Sequence, residues 1–193
     1  RYPDFRAAVA RKTLKSLRES TWRTILVIIK GFHLIEDVHY RINNLSGTIL
    51  FWNGSMILML EMADLPSDPN FERFGSIEIS AAGVDEVSEV SQKAIEVLFS
   101  RIRWKVHETL KVSKMLLTTN PTTNWVRSRF VQDDNGDKVE TREGEYYIPF
   151  SVFDNPDIGF RQTYEAALNK ISDQATKERL LYGNWDFVEA NDM

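Results

Sequence analysis

The chain has 193 residues, 42% of them hydrophobic, with a formal net charge of -4 and no cysteine. That length supports one large domain, or a domain with a small appendage, around a real apolar core; the lack of cysteine excludes disulfides, thiolate nucleophiles and Cys-ligated zinc. The longest apolar run, Ile25 to Ile29, falls far short of the roughly 20 residues that span a bilayer, and no signal peptide is visible, so a soluble, intracellular protein without a membrane partner is expected.

The net charge conceals a gradient along the chain. Residues 1–30 hold eight Lys or Arg against two acids, whereas residues 61–90 hold eight acids against one Arg. A basic segment of this kind suits either a solvated helix face or a surface that meets phosphates. The sequence opens at Arg1-Tyr2-Pro3 without Met and runs almost at once into strand-like residues, so it reads as a fragment.

In chain order, Arg6 to Arg11 is a short apolar run bounded by cations, expected as a buried strand. Leu14, Leu17, Thr21, Ile25 and Ile28 recur at spacings of three and four, which predicts one helix with a single apolar face ending near Gly31. Asn53-Gly54 lies between two apolar runs, Gly47 to Phe51 and Met56 to Leu60, and predicts a β-hairpin. Pro66 to Asn70 read as a loop. Ile77, Ile79 and Ala81 alternate into Val84, a strand that delivers Asp85 and Glu86 at its carboxyl end. A helix is expected over Ser88 to Trp104, capped by Ser88, with Ile95, Leu98, Phe99 and Ile102 as its buried stripe. Val112 and Met115 to Leu117 predict the next strand, closed by Thr118, Thr119, Asn120 and Pro121.

Strand, helix and strand in this order predict a β-α-β unit with parallel pairing, in which both strands end on one rim. Beyond it, Trp125 to Val131 read as a helical turn or bent strand, and Gln132 to Glu145 as a polar surface hairpin or loop. Tyr146 to Phe150 suggest a further strand. Phe160, Tyr164, Ala167, Leu168 and Ile171 make a helical stripe, and Ser172 is the expected cap of a second short helix stopped by Gly183.

An apolar strand ending in Asp-Glu is the arrangement of nucleoside triphosphatases that use an acid as base. The Asp holds magnesium, usually through water, and the Glu polarises the water that attacks the γ-phosphate. Asp-Glu pairs also stand at helix N-termini simply because acids favour the dipole. Thr118, Thr119 and Asn120 at the end of the adjacent strand strengthen the first reading, since polar groups there can sense the γ-phosphate or the water; Asn120-Pro121 alone reads equally as a turn starter.

Arg11 and Lys12, at the end of the first strand, bring positive charge to the same rim or simply start a cationic helix. No Gly-x-x-x-x-Gly-Lys-Ser/Thr occurs, so the amide nest and lysine that grip β- and γ-phosphates are not supplied by these residues. His33, His39 and His107 share no metal-ligand spacing. Trp52, Trp125 and Trp185 read as packing residues, although Trp125 beside Arg127 and Arg129 could stack on a base or meet a DNA backbone.

Several of these residues, in order, resemble a known family. Tyr2, Pro3, Phe5 and Arg6, leading to Val9, Arg11, Lys12, Thr13, Leu14, Ser16, Leu17 and Ser20, look like the second strand and following helix of phage large terminase ATPase domains. Asn53-Gly54-Ser55, Val84-Asp85-Glu86, the helix ending Leu98-Phe99-Ser100-Arg101-Ile102-Arg103, and Thr118-Thr119-Asn120-Pro121 with Trp125 are similar in the same way. The close, Phe153 to Pro156 and Arg179, Leu181 and Gly183 to Phe187, resembles the end of that domain.

The resemblance implies an α/β fold of the three-layer P-loop NTPase kind, with a mostly parallel sheet, a β-hairpin insertion and a small helical lid at the carboxyl end. Residues 1–145 would be a partial ATPase core, and 146–193 a strand with the lid. It implies an ATP- and magnesium-dependent motor that packages viral double-stranded DNA into procapsids, with a separate nuclease domain that cuts the DNA.

Residue by residue, the likeness makes Asp85 the magnesium-holding acid of a Walker B strand and Glu86 the base. It makes Thr118, Thr119 and Asn120 the motif coupling hydrolysis to movement, and Arg11 a phosphate-sensing arginine. The implied partners are double-stranded DNA, a portal protein, a small terminase subunit and further copies in a homo-oligomeric ring, within the cytoplasm of an infected bacterium. Without the Walker A segment and the nuclease domain, this chain by itself is expected neither to hydrolyse ATP nor to cut DNA. The alternatives are a non-catalytic DNA-binding or assembly module built on the basic first 30 residues and the Trp125-Arg127-Arg129 cluster, and another P-loop ATPase such as a helicase-like motor.

Overall fold

The computed structural model describes residues 2–133 and 135–186. They pack as two compact units, Arg1–Thr119 and Asn120–Met193; the boundary lies inside the segment expected as a partial ATPase core.

The first unit is an α/β sandwich on a six-stranded sheet ordered β2-β3-β4-β1-β5-β6. Strand β1 (Arg6–Arg11) pairs in parallel with β4 (Met56–Glu61) on one side and β5 (Ala81–Val84) on the other. β5 pairs in parallel with β6 (Lys114–Leu117), so the expected β-α-β unit is present with its strands adjacent. β2 (Tyr40–Asn43) and β3 (Thr48–Phe51) extend the sheet in antiparallel fashion beside β4. The Asn53-Gly54 hairpin joins β3 to β4, and Gly54 sits at a φ of +82° that the turn requires. β2 went unpredicted, because four residues with only Tyr40 buried carry too little pattern to announce a strand.

Alternation along β1 divides the core. Val9 packs with Leu17, Trp22, Ile29, Ile49 and Met59 against the helices that follow β1, while Ala8 and Ala10, on the opposite face, are fully buried beside Ala82 and Val84. The connection from β1 to β4 and that from β5 to β6 run in opposite directions across the sheet, and with the right-handed crossovers that parallel strands follow this puts their helices on opposite faces, as a three-layer fold requires.

The single helix expected after β1 is two: α1 (Leu14–Glu19) and α2 (Thr21–Gly31). The break is at Ser20 (φ -117°, ψ -96°). Its hydroxyl bonds back to the Ser16 carbonyl at 2.8 Å and accepts from Arg11 Nη1 at 2.9 Å, local bonds that compete with helix continuation.

The helix between β5 and β6 also begins later than expected. A short 3-10 turn over Val87–Glu89 comes first, and Ser91, not Ser88, caps α3 (Gln92–Phe99) by accepting from the Ala94 amide. Ile95 and Leu98 are buried, but Phe99, read as part of the stripe, is half exposed. Trp52, read as a packing residue, is 76% exposed in the hairpin turn.

In the second unit, α4 (Trp125–Phe130) settles the ambiguous stretch as a helix capped by the Asn124 side chain. Tyr146 to Phe150 form no strand: no bridge joins them to another segment among the described residues, and Tyr146, Ile148 and Phe150 point into solvent. The helical hairpin is present as α5 (Ile158–Leu168) and α6 (Gln174–Tyr182), with Val152, Leu168 and Leu181 as its core. Asp173, not Ser172, caps α6 through the Thr176 amide, because its carboxylate reaches the first turn, and Gly183 ends the helix at φ +66°. Phe187 lies outside the described residues. No described helix is long and apolar enough to cross a membrane.

Candidate functional site

The carboxyl ends of β1, β4, β5 and β6 meet on one rim because all four strands run the same way. The ladder continues one residue past the named strands: Asp85 donates its amide to Ala10 O at 2.9 Å, and Thr118 donates to Val84 O at 3.0 Å. This fixes the backbone of Asp85 between Arg11 and Thr118.

The Asp85 side chain is held on both oxygens. Thr118 Oγ1 donates to Oδ1 at 2.9 Å, and Thr21 Oγ1, from the first residue of α2, donates to Oδ2 at 2.5 Å. An ionised carboxylate has about four acceptor positions, so two are taken and the rest stay available on a side chain that is 31% exposed.

Glu86 follows in the left-handed region, φ 50° and ψ 53°, an uncommon conformation for a residue other than Gly, Asn or Asp. The turn is enforced on the far side, where the Val87 amide returns to Thr118 O at 2.9 Å. Glu86 is therefore a half-buried carboxylate on a strained corner directly beside the Asp85 anchor.

Arg11 completes this rim. Its guanidinium lies 4.0 Å from Asp85 Oδ2 through Nη1 and 3.9 Å from Glu89 Oε2 through Nε. Its one close bond is to Ser20, and Nε is buried without a hydrogen bond among the described residues. It balances two carboxylates without a bidentate grip on either. Glu61, level with Arg11 at the end of β4, accepts from the Leu14 amide at the start of α1.

The structure thus gathers four of the expected residues, Arg11, Asp85, Glu86 and Thr118, at the ends of three adjacent strands, with half-buried Thr119 next in the chain. Asn120 is the first residue of the second unit. The Trp125-Arg127-Arg129 cluster is not a free basic surface: Arg127 bonds Gln132 at 2.7 Å and pairs with Asp186, and Arg129 pairs with Glu145 at 2.6 Å. Sequence reasoning missed Thr21, Ser20, Glu61 and Glu89. A usable signal was present for the first two, since a Ser-Thr pair in the middle of an apolar stripe marks a point where side chains leave the helix register.

A mostly parallel sheet with an acid pair ending the strand beside a Thr-bearing edge strand defines an α/β fold of the P-loop NTPase kind. Comparison with protein-family profiles matches residues 3–174 to the phage terminase large subunit family (Terminase_3). The chain belongs to that family.

Among solved structures it is similar to the large terminase of a thermophilic bacteriophage in complex with ADP, with a TM-score of 0.67 at 12% identity over 95% of this chain and 41% of that one. The complex of the same terminase with ATP-gamma-S gives a TM-score of 0.59 at 12% identity, over 95% of this chain and 40% of that one. The Thermus phage P74-26 large terminase ATPase domain gives 0.57 at 10% identity, over 96% of this chain and 78% of that one. Identities this low show the fold alone. The chain spans about 41% of the length of the first of these relatives. No curated protein matches the sequence.

Proposed function

We propose that this chain is the water-activating half of the ATPase site in a large terminase, part of a motor that packages double-stranded viral DNA into procapsids. The observation that carries the reading is the doubly held Asp85 at the end of a central parallel strand, with Glu86 next to it and Thr118 on the neighbouring strand. The ADP and ATP-gamma-S complexes of the thermophilic phage's terminase support a nucleotide as the ligand.

Asp85 suits magnesium. No cluster of three or more His, Asp or Glu that could cage a metal exists among the described residues, and magnesium is normally held through one or two carboxylates, waters and substrate phosphates. When bound, the ion would neutralise charge developing on the β- and γ-phosphates. Asp85 would hold it through water, and Glu86 would accept the proton of the attacking water. Thr118 bonds the Asp85 carboxylate, and by their resemblance to the family's motif Thr118, Thr119 and Asn120 are assigned the coupling of hydrolysis to movement. Arg11, a cation at the end of the adjoining strand, is assigned to phosphate sensing.

In this reading the Walker A segment and nuclease belong to the intact terminase, which acts as a ring with the portal protein and small terminase subunit in the host cytoplasm. The test is DNA-stimulated ATP hydrolysis by an intact terminase carrying these residues. Glu86→Gln and Asp85→Asn are each expected to lower turnover by at least about 100-fold, the scale of removing a general base. Turnover of Glu86→Gln within a few-fold of the parent sinks the assignment of the base.

A further inference from the structure

We infer that Thr21 is a positioning residue for the metal-bearing carboxylate, an assignment that rests on the reading of Asp85 given above. A lone carboxylate on a strand end rotates about its Cα–Cβ and Cβ–Cγ bonds, and the direction of its free lone pairs rotates with it. Here each oxygen is tied from a different element: Oδ1 by Thr118 after β6, and Oδ2 by Thr21 at the start of α2. Two donors on two oxygens fix the carboxylate plane, which leaves the remaining acceptor positions in fixed directions.

Thr21 is itself fixed by three features. It is β-branched and so restricted at χ1. It begins α2 immediately after the break at Ser20, whose hydroxyl lies 3.3 Å from Thr21 Oγ1. Ser20 in turn is clamped by Arg11 Nη1 and the Ser16 carbonyl. The helix break is therefore explained by what it presents: the bond from Arg11 to Ser20 and the bond from Thr21 to Asp85, made by consecutive residues, tie β1, the α1–α2 junction and β5 together. Partners that orient a metal ligand change affinity without touching the metal, by about 10- to 100-fold when removed.

The experiment measures Mn²⁺ binding by electron paramagnetic resonance in the presence of ATP-gamma-S, using the intact terminase, for the parent, Thr21→Val, Thr21→Ser and Asp85→Asn. Thr21→Val keeps the shape and removes the donor, and about 10-fold weaker Mn²⁺ binding is expected with nucleotide affinity in the absence of metal unchanged. Thr21→Ser keeps the donor and is expected within about 3-fold of the parent, since it loses only one methyl group and the χ1 restriction that goes with it. If Thr21→Val binds Mn²⁺ as the parent does while Asp85→Asn loses it, the role of Thr21 is overturned and that of Asp85 stands. If Asp85→Asn retains parental binding, the reading of Asp85 fails and the inference with it. Equal loss in Thr21→Val and Thr21→Ser also overturns it, because packing and not the hydroxyl is then responsible.

Discussion

Glu86 occupies a conformation that its side chain disfavours, and this separates stability from chemistry at the site. At φ 50° and ψ 53° an L-residue with a Cβ carries about 1–2 kcal/mol of strain that Gly does not. Gly offsets part of that gain through its larger unfolded-state freedom, about 0.5–1 kcal/mol. Glu86→Gly should therefore be more stable than Glu86→Ala by about 0.5–1 kcal/mol, the difference between those two terms. Comparing Gly with Ala, and not with Glu, removes the contacts of the native side chain from both arms.

In urea, with a slope of roughly 2 kcal/mol/M, that difference moves the unfolding midpoint by about 0.4 M. Ala94→Gly in α3, where the backbone is helical and the methyl group buried, should move it the other way by about 0.5 M or more, from about 1 kcal/mol of helix propensity together with the lost packing. In an intact terminase, Glu86→Gly and Glu86→Ala should be equally inactive, because both lack the carboxylate. A Glu86→Gly midpoint at or below that of Glu86→Ala refutes the claim that the corner is strained and kept for the acid.

Ser80 is fully buried, accepts from the Arg6 amide at 3.2 Å and donates to the Trp104 carbonyl at 2.9 Å. Ser80→Ala should cost about 1–3 kcal/mol by equilibrium denaturation, the range for stranding buried polar partners. Leu17→Ala, at a site with no exposure between α1 and the sheet, should cost about 2–5 kcal/mol in the same assay. Gly54→Ala places a Cβ at φ +82° against the Asp4 carboxylate, and a loss of about 1 kcal/mol or more is expected for the backbone alone.

The acid response follows from four carboxylates held below their usual range, the first being Asp4, which accepts a hydrogen bond from Lys105. Burial raises the Asp68 pKa, but hydrogen bonds from the Arg73 side chain and the Glu72 amide more than offset it. Hydrogen bonds from Ser151 and Thr176 lower those of Asp154 and Asp173. A depressed folded pKa means that the contribution is complete above the unfolded value of 3.8 and is lost as pH falls through the folded one. Thermal unfolding followed between pH 7 and pH 2 should thus show most of this loss below about pH 4, and Asp68→Asn should flatten the profile; an unchanged slope contradicts the pairing.

The layout was legible where period and punctuation agreed. An apolar run into Val84 followed by two acids, and a second one ending in Thr118, sufficed to place two parallel strands side by side, since a crossover of helical length permits little else, although Ile77 and Ile79, whose alternation announced the first, lie before β5 begins at Ala81. The Asn53-Gly54 turn announced its hairpin for the same reason. Reading failed where local bonds override period. Ser20 lies within a pattern that continues unbroken from Leu14 to Ile28, and only its hydrogen bonds to Ser16 and Arg11 reveal that the helix stops there. Tyr146 to Phe150 alternate like a strand, but a strand needs a ladder, and sequence does not say whether a partner lies alongside.

The break at Ser20 also decides how Arg11 should be understood. A phosphate-sensing cation has to be available to an incoming anion, yet here it is spread between Ser20, Asp85 and Glu89 without a close ion pair to either carboxylate. Two contacts near 4 Å hold a guanidinium in place electrostatically while leaving its donors poorly used, so Arg11 has no close ion pair to break before it can meet another anion. Removing Glu89 tests this reasoning. If Arg11 is merely neutralised at the rim, Glu89→Gln should shift it fully onto Asp85 and weaken metal binding; if it serves the phosphate, Glu89→Gln should tighten nucleotide binding in an intact terminase, measured by titration calorimetry, with the metal dependence unchanged.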